Sequence, residues 1–551
     1  MKTVIKLTKI AILIVLCSCI EDKGNYDYHP VNTVEIEGIN DSYSIPLGES
    51  IIITPILNFS LGEGVDEFEY QWCVMQDYVP YDLKGILSTE RNLDVVLGGT
   101  GCPITKEGSY YMLYSVQNKT TQVKYYKVFK LNVINRMQTG FTMLCETAKG
   151  FDIDLISLYN DTLTQYHNVL DLYQSELPHE GVKPLDLVCF GDYLSPAIGD
   201  YLDEENKTGT PKRYALWVLT DRGTDRVRVE DFVYKPKYNI SSVIVRTSNS
   251  LFPDDDIIAI DKMFSVSGHS NSSGRAYSYY NGNWFMYNYS PMTYMYMLPV
   301  NQYVSTSTAP QYKSPPYIYV AGSYGALIFN LDENRFEYHK SFTTELNGSA
   351  TDFFKTVQLS EGEYFNWQNK DYDLKYMGNR SSNAGFAVVY NRATGKYEFL
   401  QMSATTTTAT QTGQSVFPSG FNADEVKFYA YHITLPYLYF ATEDKVYRIN
   451  TSTMSTIDDI TAQVIPSGHK ISLMRNTAVR FARTSQIIIA TYNPSGAAGE
   501  NAQLTCYNVE DGTGNLVLAK HPDTPTAAGY QIEMRWTGFG KVIAVDYKQP
   551  T

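Results

Sequence analysis

The sequence contains none of the short motifs that mark common enzyme classes. It has no G-x-S-x-G nucleophile elbow, no G-x-x-x-x-G-K-[ST] phosphate loop, no H-E-x-x-H pair and no G-x-G-x-x-G fingerprint. The eight histidines are scattered and never approach the spacing of metal ligands. We therefore expect no catalytic residues, no metal ion and no other cofactor.

Positive charge is also scarce. Lys and Arg number 45 against 59 Asp and Glu, which gives a formal net charge of -14. Affinity for nucleic acid comes mainly from clustered Lys and Arg that contact phosphates. This composition excludes nucleic acid as an expected partner.

Cysteine is rare, with 7 residues in the chain. Five of them follow residue 30, at Cys73, Cys102, Cys145, Cys189 and Cys506. An odd number without C-x-x-C spacing argues against a disulfide scaffold and against a structural zinc site. At most Cys73 and Cys102 could pair, and we expect buried free thiols instead.

No apolar run is long enough to cross a bilayer as a helix. The longest one near the start, 10–16, follows three lysines and has the length of a signal-peptide core. The next residues, Leu16-Cys17-Ser18-Cys19, resemble a bacterial lipobox, with Cys19 as the lipidated residue. Three acyl chains on Cys19 would anchor the protein stably in a membrane. An ordinary secretory signal with incidental cysteines is the alternative.

The residues behind Cys19 extend this resemblance. Glu21 and Asp22 look like the acidic surface-export signal of Bacteroidota lipoproteins. We therefore predict a signal peptide at 1–18, a lipidated tether at 19–32 and an outer-membrane protein that faces the cell exterior.

Residues 33–135 read as a β-sandwich. About seven short β runs are separated by turn residues, and Trp72 lies in a run near the middle, as in immunoglobulin-like domains. The lead-in DKGNYDY, the YQWCV run and the GSYYMLYSV run resemble the PKD-like domain of Bacteroidota lipoproteins. The resemblance covers about a fifth of the chain.

Residues 139–551 contain a repeated pattern of three consecutive β runs. In each repeat the second run ends at an Asn or Asp, called the closing residue below. These closing residues recur in steps of about sixty, apart from one shorter step, and predict a β-propeller with seven blades. We expect a late run, preferably KVIAVDY, to complete the first blade. Two stacked β-sandwiches are the alternative. The closing residues are Asn160, Asp221, Asn281, Asn330, Asn391, Asn450 and Asn508.

Two stretches are dense in aromatic residues. A sugar site needs flat aromatic rings flanked by amides and carboxylates, and a peptide site can use the same groups. We therefore predict ligand-binding residues in both stretches, with the alternative that both are blade edges packed on each other. The predicted residues are Tyr364, Phe365, Asn366, Trp367 and Tyr372, and, in the earlier stretch, Trp284 and Tyr287.

A carboxylate pair for glycoside hydrolysis leaves no motif, because its members can come from distant parts of the chain. Five acidic residues occupy places where a loop could present them, but the sequence singles out no pair. They are Asp152, Asp154, Asp221, Asp225 and Glu363.

The family resemblance bears on function. Lipoproteins that join a PKD-like module to a propeller are similar to accessory proteins of SusC/SusD-type uptake systems. The resemblance implies a non-catalytic accessory of a TonB-dependent importer, which helps to capture oligosaccharides or oligopeptides. A surface glycoside hydrolase or lyase and a purely structural subunit of the transporter complex are the alternatives.

Overall fold

The chain forms two compact units, Met1–Asn135 and Arg136–Thr551. No helix among the described residues is long and apolar enough to cross a membrane. The predicted signal peptide and residues 19–30 of the predicted tether, with Cys19, Glu21 and Asp22, lie outside the described residues. Asn32, at the end of the tether, is buried and accepts a hydrogen bond from the backbone N–H of Leu61 at 2.9 Å. The computed structural model describes residues 31–75, 83–99, 101–105, 108–134, 140–159, 162–190, 215–228, 232, 234–244, 246, 250–265, 275–288, 298–303, 311–321, 325–340, 355–405, 408–476, 485–521, 529 and 531–548.

The first unit is built from β-strands. Five of them form one sheet in the order β2-β9-β8-β5-β6, while β1 pairs with β4 and β3 pairs with β7. The strands are β1 (Val34–Glu37), β2 (Ser42–Pro46), β3 (Ser50–Ile53), β4 (Ile56–Phe59), β5 (Phe68–Met75), β6 (Leu83–Ser88), β7 (Leu93–Val96), β8 (Gly108–Asn118) and β9 (Lys124–Ile134).

The core of this unit centres on Trp72 of β5. Its ring is fully buried and stacks on Tyr114 of β8 with centroids 4.1 Å apart, and its Nε1 donates to the carbonyl oxygen of Glu90 at 3.0 Å. β8 and β9 pair antiparallel and form a hairpin. The apolar run at 50–59 forms two strands rather than one, because Pro55 lacks the N–H that a continuous ladder needs.

The second unit contains seven described sheets of three to five strands, which follow one another along the chain. Successive sheets contain β10 (Gly140–Thr147), β11 (Gly150–Tyr159), β12 (Thr162–Tyr166) and β38 (Lys541–Lys548); β13 (Pro184–Phe190), β14 (Ala215–Thr220) and β15 (Thr224–Arg228); β16 (Lys262–Ser265), β17 (Arg275–Tyr280) and β18 (Asn283–Asn288); β19 (Ile318–Val320), β20 (Ala326–Asn330), β21 (Arg335–His339) and β22 (Thr356–Gln358); β23 (Tyr372–Ser381), β24 (Ala384–Asn391), β25 (Lys396–Ala404) and β26 (Ala409–Val416); β27 (Phe428–Tyr431), β28 (Tyr437–Ala441), β29 (Val446–Asn450) and β30 (Ile457–Asp459); and β31 (Lys470–Asn476), β32 (Gln486–Tyr492), β33 (Ala502–Val509), β34 (Leu516–Leu518) and β37 (Arg535–Phe539).

Short elements complete this unit. The two-residue strands β35 (Lys520–His521) and β36 (Ile532–Glu533) pair with each other. The described helices are single turns: α1 (Val169–Leu172), α2 (Thr461–Val464) and the 3-10 segments Pro236–Tyr238, Ile240–Val243 and Ala423–Glu425.

Burial explains why several strands read as continuous apolar runs. Every residue of β20 and of β28 is buried, because these second strands are covered on both faces by neighbouring sheets. The number of described sheets agrees with the predicted repeat. The number of blades in the whole chain stays a prediction.

The first sheet takes its fourth strand from the far end of the chain. β38 pairs antiparallel with β10, from Gly140 opposite Lys548 to Glu146 opposite Lys541. The prediction that KVIAVDY completes this sheet is therefore confirmed. β38 also packs against β13 and β31, so it joins the second sheet to the seventh.

Three of the Asn residues that close β runs stabilise the turns that follow. Oδ1 of Asn330, Asn391 and Asn450 each accepts a hydrogen bond from the backbone N–H two residues on, at 2.9–3.1 Å. Asn281 has a left-handed backbone with φ 48°. Asn160 lies outside the described residues.

The repeat of about sixty residues is not a strict structural period. Asn281 directly follows the second strand of its sheet and Asn330 is the last residue of the second strand of its own, so the short step between them joins nearly equivalent positions. Asn450 and Asn508 instead lie in the third strand of their sheets. The spacing stayed near sixty because loops and strands of different lengths compensate.

All five cysteines after residue 30 are buried thiols that form no disulfide. The expectation of buried free thiols is confirmed, and Cys73 and Cys102 do not pair. Burial raises the pKa of Cys145 and of Cys506, which keeps both thiols protonated and poorly nucleophilic.

Candidate functional site

Edge strands of the second unit's sheets surround a cavity. Residues of β13, β16, β19, β23, β27, β31 and β38 line it, so each of the seven sheets of three to five strands contributes one edge strand. Its volume is about 310 Å³. Small-molecule sites usually occupy about 300–1,000 Å³, so this cavity suits a small ligand.

A positively charged side chain enters the cavity from β23. The Nε of Arg380 donates to the carbonyl oxygen of His432 at 2.9 Å, and Nη2 donates to that of Thr434 at 3.0 Å. Its guanidinium carbon lies 4.1 Å from the ring centroid of Tyr431. These contacts fix the guanidinium in place without neutralising its charge, since no carboxylate among the described residues forms an ion pair with it.

A second arginine and an aspartate line the cavity on either side of β38. Arg475 of β31 donates from Nη1 to the carbonyl oxygen of Val545. Asp186 of β13 accepts a hydrogen bond from the backbone N–H of Leu187 at 2.8 Å through Oδ1. Its Oδ2 has no hydrogen-bond partner among the described residues. The site thus holds charges of both signs that are incompletely paired.

Burial changes the acidity of this aspartate. Loss of hydration on burial raises the pKa of Asp186 to about 6, and the negative charge of Asp546 also raises this pKa. The backbone N–H of Leu187 and the charges of Arg475 and Lys262 oppose the rise. The Asp186 side chain is partly exposed to the cavity, but the surrounding protein excludes most of the water that would stabilise the carboxylate.

We expect Asp186→Asn to remove a pH dependence of stability. The folded-state pKa exceeds that of the unfolded chain, so the folded state binds more protons and wild-type stability falls as the pH rises from about 4 to 7. The loss should be about 1–3 kcal/mol relative to the variant, after allowance for water in the cavity. Urea unfolding of both proteins at pH 4.5 and 7.5 measures it. An equal difference between them at both pH values would contradict the assignment.

Tyrosines form the aromatic part of the wall. The rings of Tyr376 and Tyr429 stack with centroids 4.6 Å apart. The ring centroid of Tyr317 lies 5.3 Å from that of Tyr376. The hydroxyl of Tyr429 is buried without a hydrogen-bond partner among the described residues. Gly378 leaves room for this packing, because a Cβ there would lie 2.7 Å from the hydroxyl of Tyr376.

Most of the aromatic residues predicted to bind ligand are in the core instead. Five of the seven predicted residues are at most 5% exposed, so they cannot form a surface that stacks on a sugar, and the prediction is wrong for them. Their neighbours are other apolar side chains of adjacent sheets. These five are Trp284, Tyr287, Phe365, Trp367 and Tyr372.

Two residues of the same prediction remain accessible. Tyr364 is 47% exposed, and Asn366 is exposed beside it. The backbone N–H of Tyr364 donates to Oε1 of Gln411 at 2.7 Å, which holds this loop against β26. Their role in ligand binding stays a prediction.

His432, whose carbonyl oxygen binds Arg380, meets Ser485 in an arrangement that does not suit nucleophilic catalysis. Nδ1 of His432 accepts from the backbone N–H of Leu435 at 2.9 Å, so the ring proton belongs on Nε2, which donates to Oγ of Ser485 at 2.5 Å. A base would need to accept the serine proton at that nitrogen. Burial and the charge of Arg380 also lower the pKa of His432 to about 4.

One cluster in the described part of the chain could hold a metal ion by geometry. The ligand atoms of Asp152, Asp171 and His179 lie within 4.8 Å of one another. Asp152, however, already accepts hydrogen bonds from the backbone N–H groups of Ile153 and Leu170, at 2.6 and 3.0 Å. It therefore fixes α1 to β11.

Two other candidate carboxylates are also occupied structurally. Asp154 accepts from the backbone N–H of Asn168 at 2.8 Å, and Asp225 accepts from Nδ2 of Asn239 at 2.9 Å. Both carboxylates are buried, and burial raises the pKa of each. They stabilise loops.

The cavity residues escaped prediction from the sequence. Arg380, Arg475 and Asp546 each stand near the end of a strand, where a polar residue is ordinary. A usable signal exists only after the strands are assigned: charged residues recur on the first strands of several sheets, which lie far apart in the chain.

The fold and the cavity together define an all-β protein in which a PKD-like sandwich precedes a propeller-like array of sheets. Residues 19–180 match the model of the PKD-like family. The match extends beyond the first unit into the first sheet of the second. No curated protein matches the chain.

Several solved structures are similar to the chain at very low identity. A quinoprotein alcohol dehydrogenase-like protein from Bacteroides thetaiotaomicron is 10% identical, with a TM-score of 0.34, and 92% of this chain and 97% of that one are covered. AztD from Citrobacter koseri is 7% identical, with a TM-score of 0.30 and coverage of 88% and 100%. PorZ, a surface component of the type-IX secretion system of Porphyromonas gingivalis, is 10% identical, with a TM-score of 0.18 and coverage of 75% and 52%. Scores this low support no argument about function, and the fold stands on the strand pairings.

Proposed function

We propose that the protein is a non-catalytic, lipid-anchored accessory of a SusC/SusD-type TonB-dependent nutrient importer, on the outside of the outer membrane. In this role it helps to capture glycan or peptide ligands for the transporter. The cavity at the centre of the sheets is the observation that carries the proposal. It combines tyrosine rings, amides and charges of both signs in a volume suited to a small ligand.

Two further observations support the proposal. The leader has the order of a lipoprotein signal, with lysines, a short apolar run and Cys19 followed by Glu21 and Asp22. The described serine-histidine pair has the wrong proton arrangement for catalysis, and the candidate carboxylates of Asp152 and Asp154 accept hydrogen bonds from backbone N–H groups. A tethered binding module raises the local concentration of its ligand beside a partner without turnover.

Replacement of the lipidated residue tests the proposal. We expect Cys19→Ala to release the protein from the membrane and to abolish its contribution to uptake, because a protein without acyl chains has no anchor. The matched control is Cys17→Ala, since Cys17 follows the large Leu16 and fits the lipobox poorly. Fractionation, protease treatment of intact cells and uptake assays measure both variants.

Three outcomes would refute parts of the proposal. A soluble Cys19→Ala protein that still supports uptake would show that anchoring is unnecessary. Release of products from a panel of polysaccharides would instead make the protein an enzyme. Co-purification with the transporter from detergent extracts tests the partner, and recovery of this protein alone would argue against it.

A further inference from the structure

The charges in the cavity restrict the chemistry of its ligand. Four charged side chains line it, two acidic and two basic: Asp186, Asp546, Arg380 and Arg475. An anion would face two carboxylates, and a cation would face two guanidinium groups. A neutral sugar would leave Oδ2 of Asp186 and the remaining N–H groups of Arg475 without a charged partner, which is costly. A ligand that carries one charge of each sign meets none of these penalties.

The free hydrogen-bonding capacity lies on two strands that flank β38. Oδ2 of Asp186 has no partner among the described residues, and Arg475 uses only one N–H group, toward Val545. β13 and β31 both pack against β38, so the acid and the base reach the cavity from two strands with a common neighbour. They form no ion pair with each other.

The uncharged residues that line the cavity suit the part of such a ligand that lies between its two charged groups. Asn379 already binds the backbone of Val320 through both ends of its amide and is rigid. The stacked rings of Tyr376 and Tyr429 provide a flat apolar surface beside it. A ligand with charged ends and a short, partly apolar body matches this order of groups.

We infer that the cavity binds the zwitterionic form of a short peptide, with its ammonium group on Asp186 and its carboxylate on Arg475. The inference rests on the proposed function and deepens it, because it selects peptides over glycans as the captured ligand. Carboxylates form strong paired hydrogen bonds with guanidinium groups. The volume of the cavity limits the peptide to a few residues.

Equilibrium dialysis tests the inference on the full-length lipoprotein in mild detergent at pH 7.5. The probe is a pool of di- and tripeptides from digested casein, compared with the same pool after N-acetylation and after C-terminal amidation. Mass spectrometry measures the peptides that the protein retains. We expect the free pool to be retained at least about tenfold more strongly than either blocked pool, because each block removes one charge-assisted contact.

Variants assign each end of the peptide. Asp186→Asn should bind the free and the acetylated pools alike, and Arg475→Gln should bind the free and the amidated pools alike. Arg475→Lys keeps the charge and should retain part of the binding, which separates a lost contact from a fold defect. Arg448→Gln is the matched control, because Arg448 pairs with Asp458 outside the cavity and should bind as wild type.

Three results would overturn the inference. They are equal retention of the blocked and free pools, retention of no peptide at all, and retention of neutral oligosaccharides that depends on Asp186 and Arg475. The last result would assign the cavity to glycans and leave the proposed function standing. A failure of the Cys19 experiment, in contrast, would leave peptide binding in detergent unaffected.

Discussion

Deletion of residues 541–551 is expected to prevent folding of the second unit. β38 pairs with β10 along its length and packs against β13 and β31, and its Val542, Ala544 and Val545 are almost fully buried. Lost burial and lost backbone hydrogen bonds together amount to on the order of 5–10 kcal/mol. This is comparable with the whole net stability of a domain.

A graded pair of variants makes the result interpretable. Deletion of residues 549–551 alone leaves the described strand complete and should preserve folding. Val545→Asp should lower the free energy of unfolding by about 3 kcal/mol or more, because it buries an unpaired charge. Expression, near-UV circular dichroism and urea unfolding measure the three proteins. Normal cooperative unfolding after deletion of 541–551 would favour independent sandwiches over a closed array of sheets.

Trp72→Ala is expected to destabilise the first unit by about 3–5 kcal/mol, the usual cost of removing a buried tryptophan. The substitution removes the stacking on Tyr114, the edge contact with Phe129 and the hydrogen bond to Glu90. Hydrogen exchange followed by mass spectrometry measures the effect within the full chain. Peptides from β8 should lose protection by on the order of a hundredfold or more.

The control for this prediction is Tyr126→Ala on β9. Tyr126 is 54% exposed, so its removal should change stability by no more than about 0.5 kcal/mol. Peptides from β38 provide an internal reference, since they belong to the second compact unit. Equal loss of protection in β8 and β38 would show that the two units unfold together, against the expectation.

The sequence predicted the architecture well because strands leave a local record. Alternating side chains and Asn turns are set by neighbours within a few residues, as Asn330, Asn391 and Asn450 illustrate. The closing role of β38 could also be predicted, because the first repeat lacked a strand and the chain end supplied one. Such arguments need only chain order and β patterning.

The site could not be predicted in the same way. Trp367 and Tyr364 are three residues apart in one aromatic stretch, yet one is 3% exposed and the other 47%. The amino-acid composition of a stretch does not show whether a given aromatic side chain is buried in the core or exposed to solvent. The cavity charges come from strands hundreds of residues apart, so Asp186 and Arg475 become neighbours of β38 only through the fold.

The pairing of β10 with β38 also delays completion of the first sheet while the chain is being synthesised. Roughly 390 residues separate these two strands, and a ribosome adds about 5–20 residues per second. The edge of β10 therefore waits on the order of 20–80 s for its partner after it has been synthesised. Unpaired strand edges invite pairing with other chains. A chaperone that shields β10 during this interval would protect the protein from aggregation while this strand edge is unpaired.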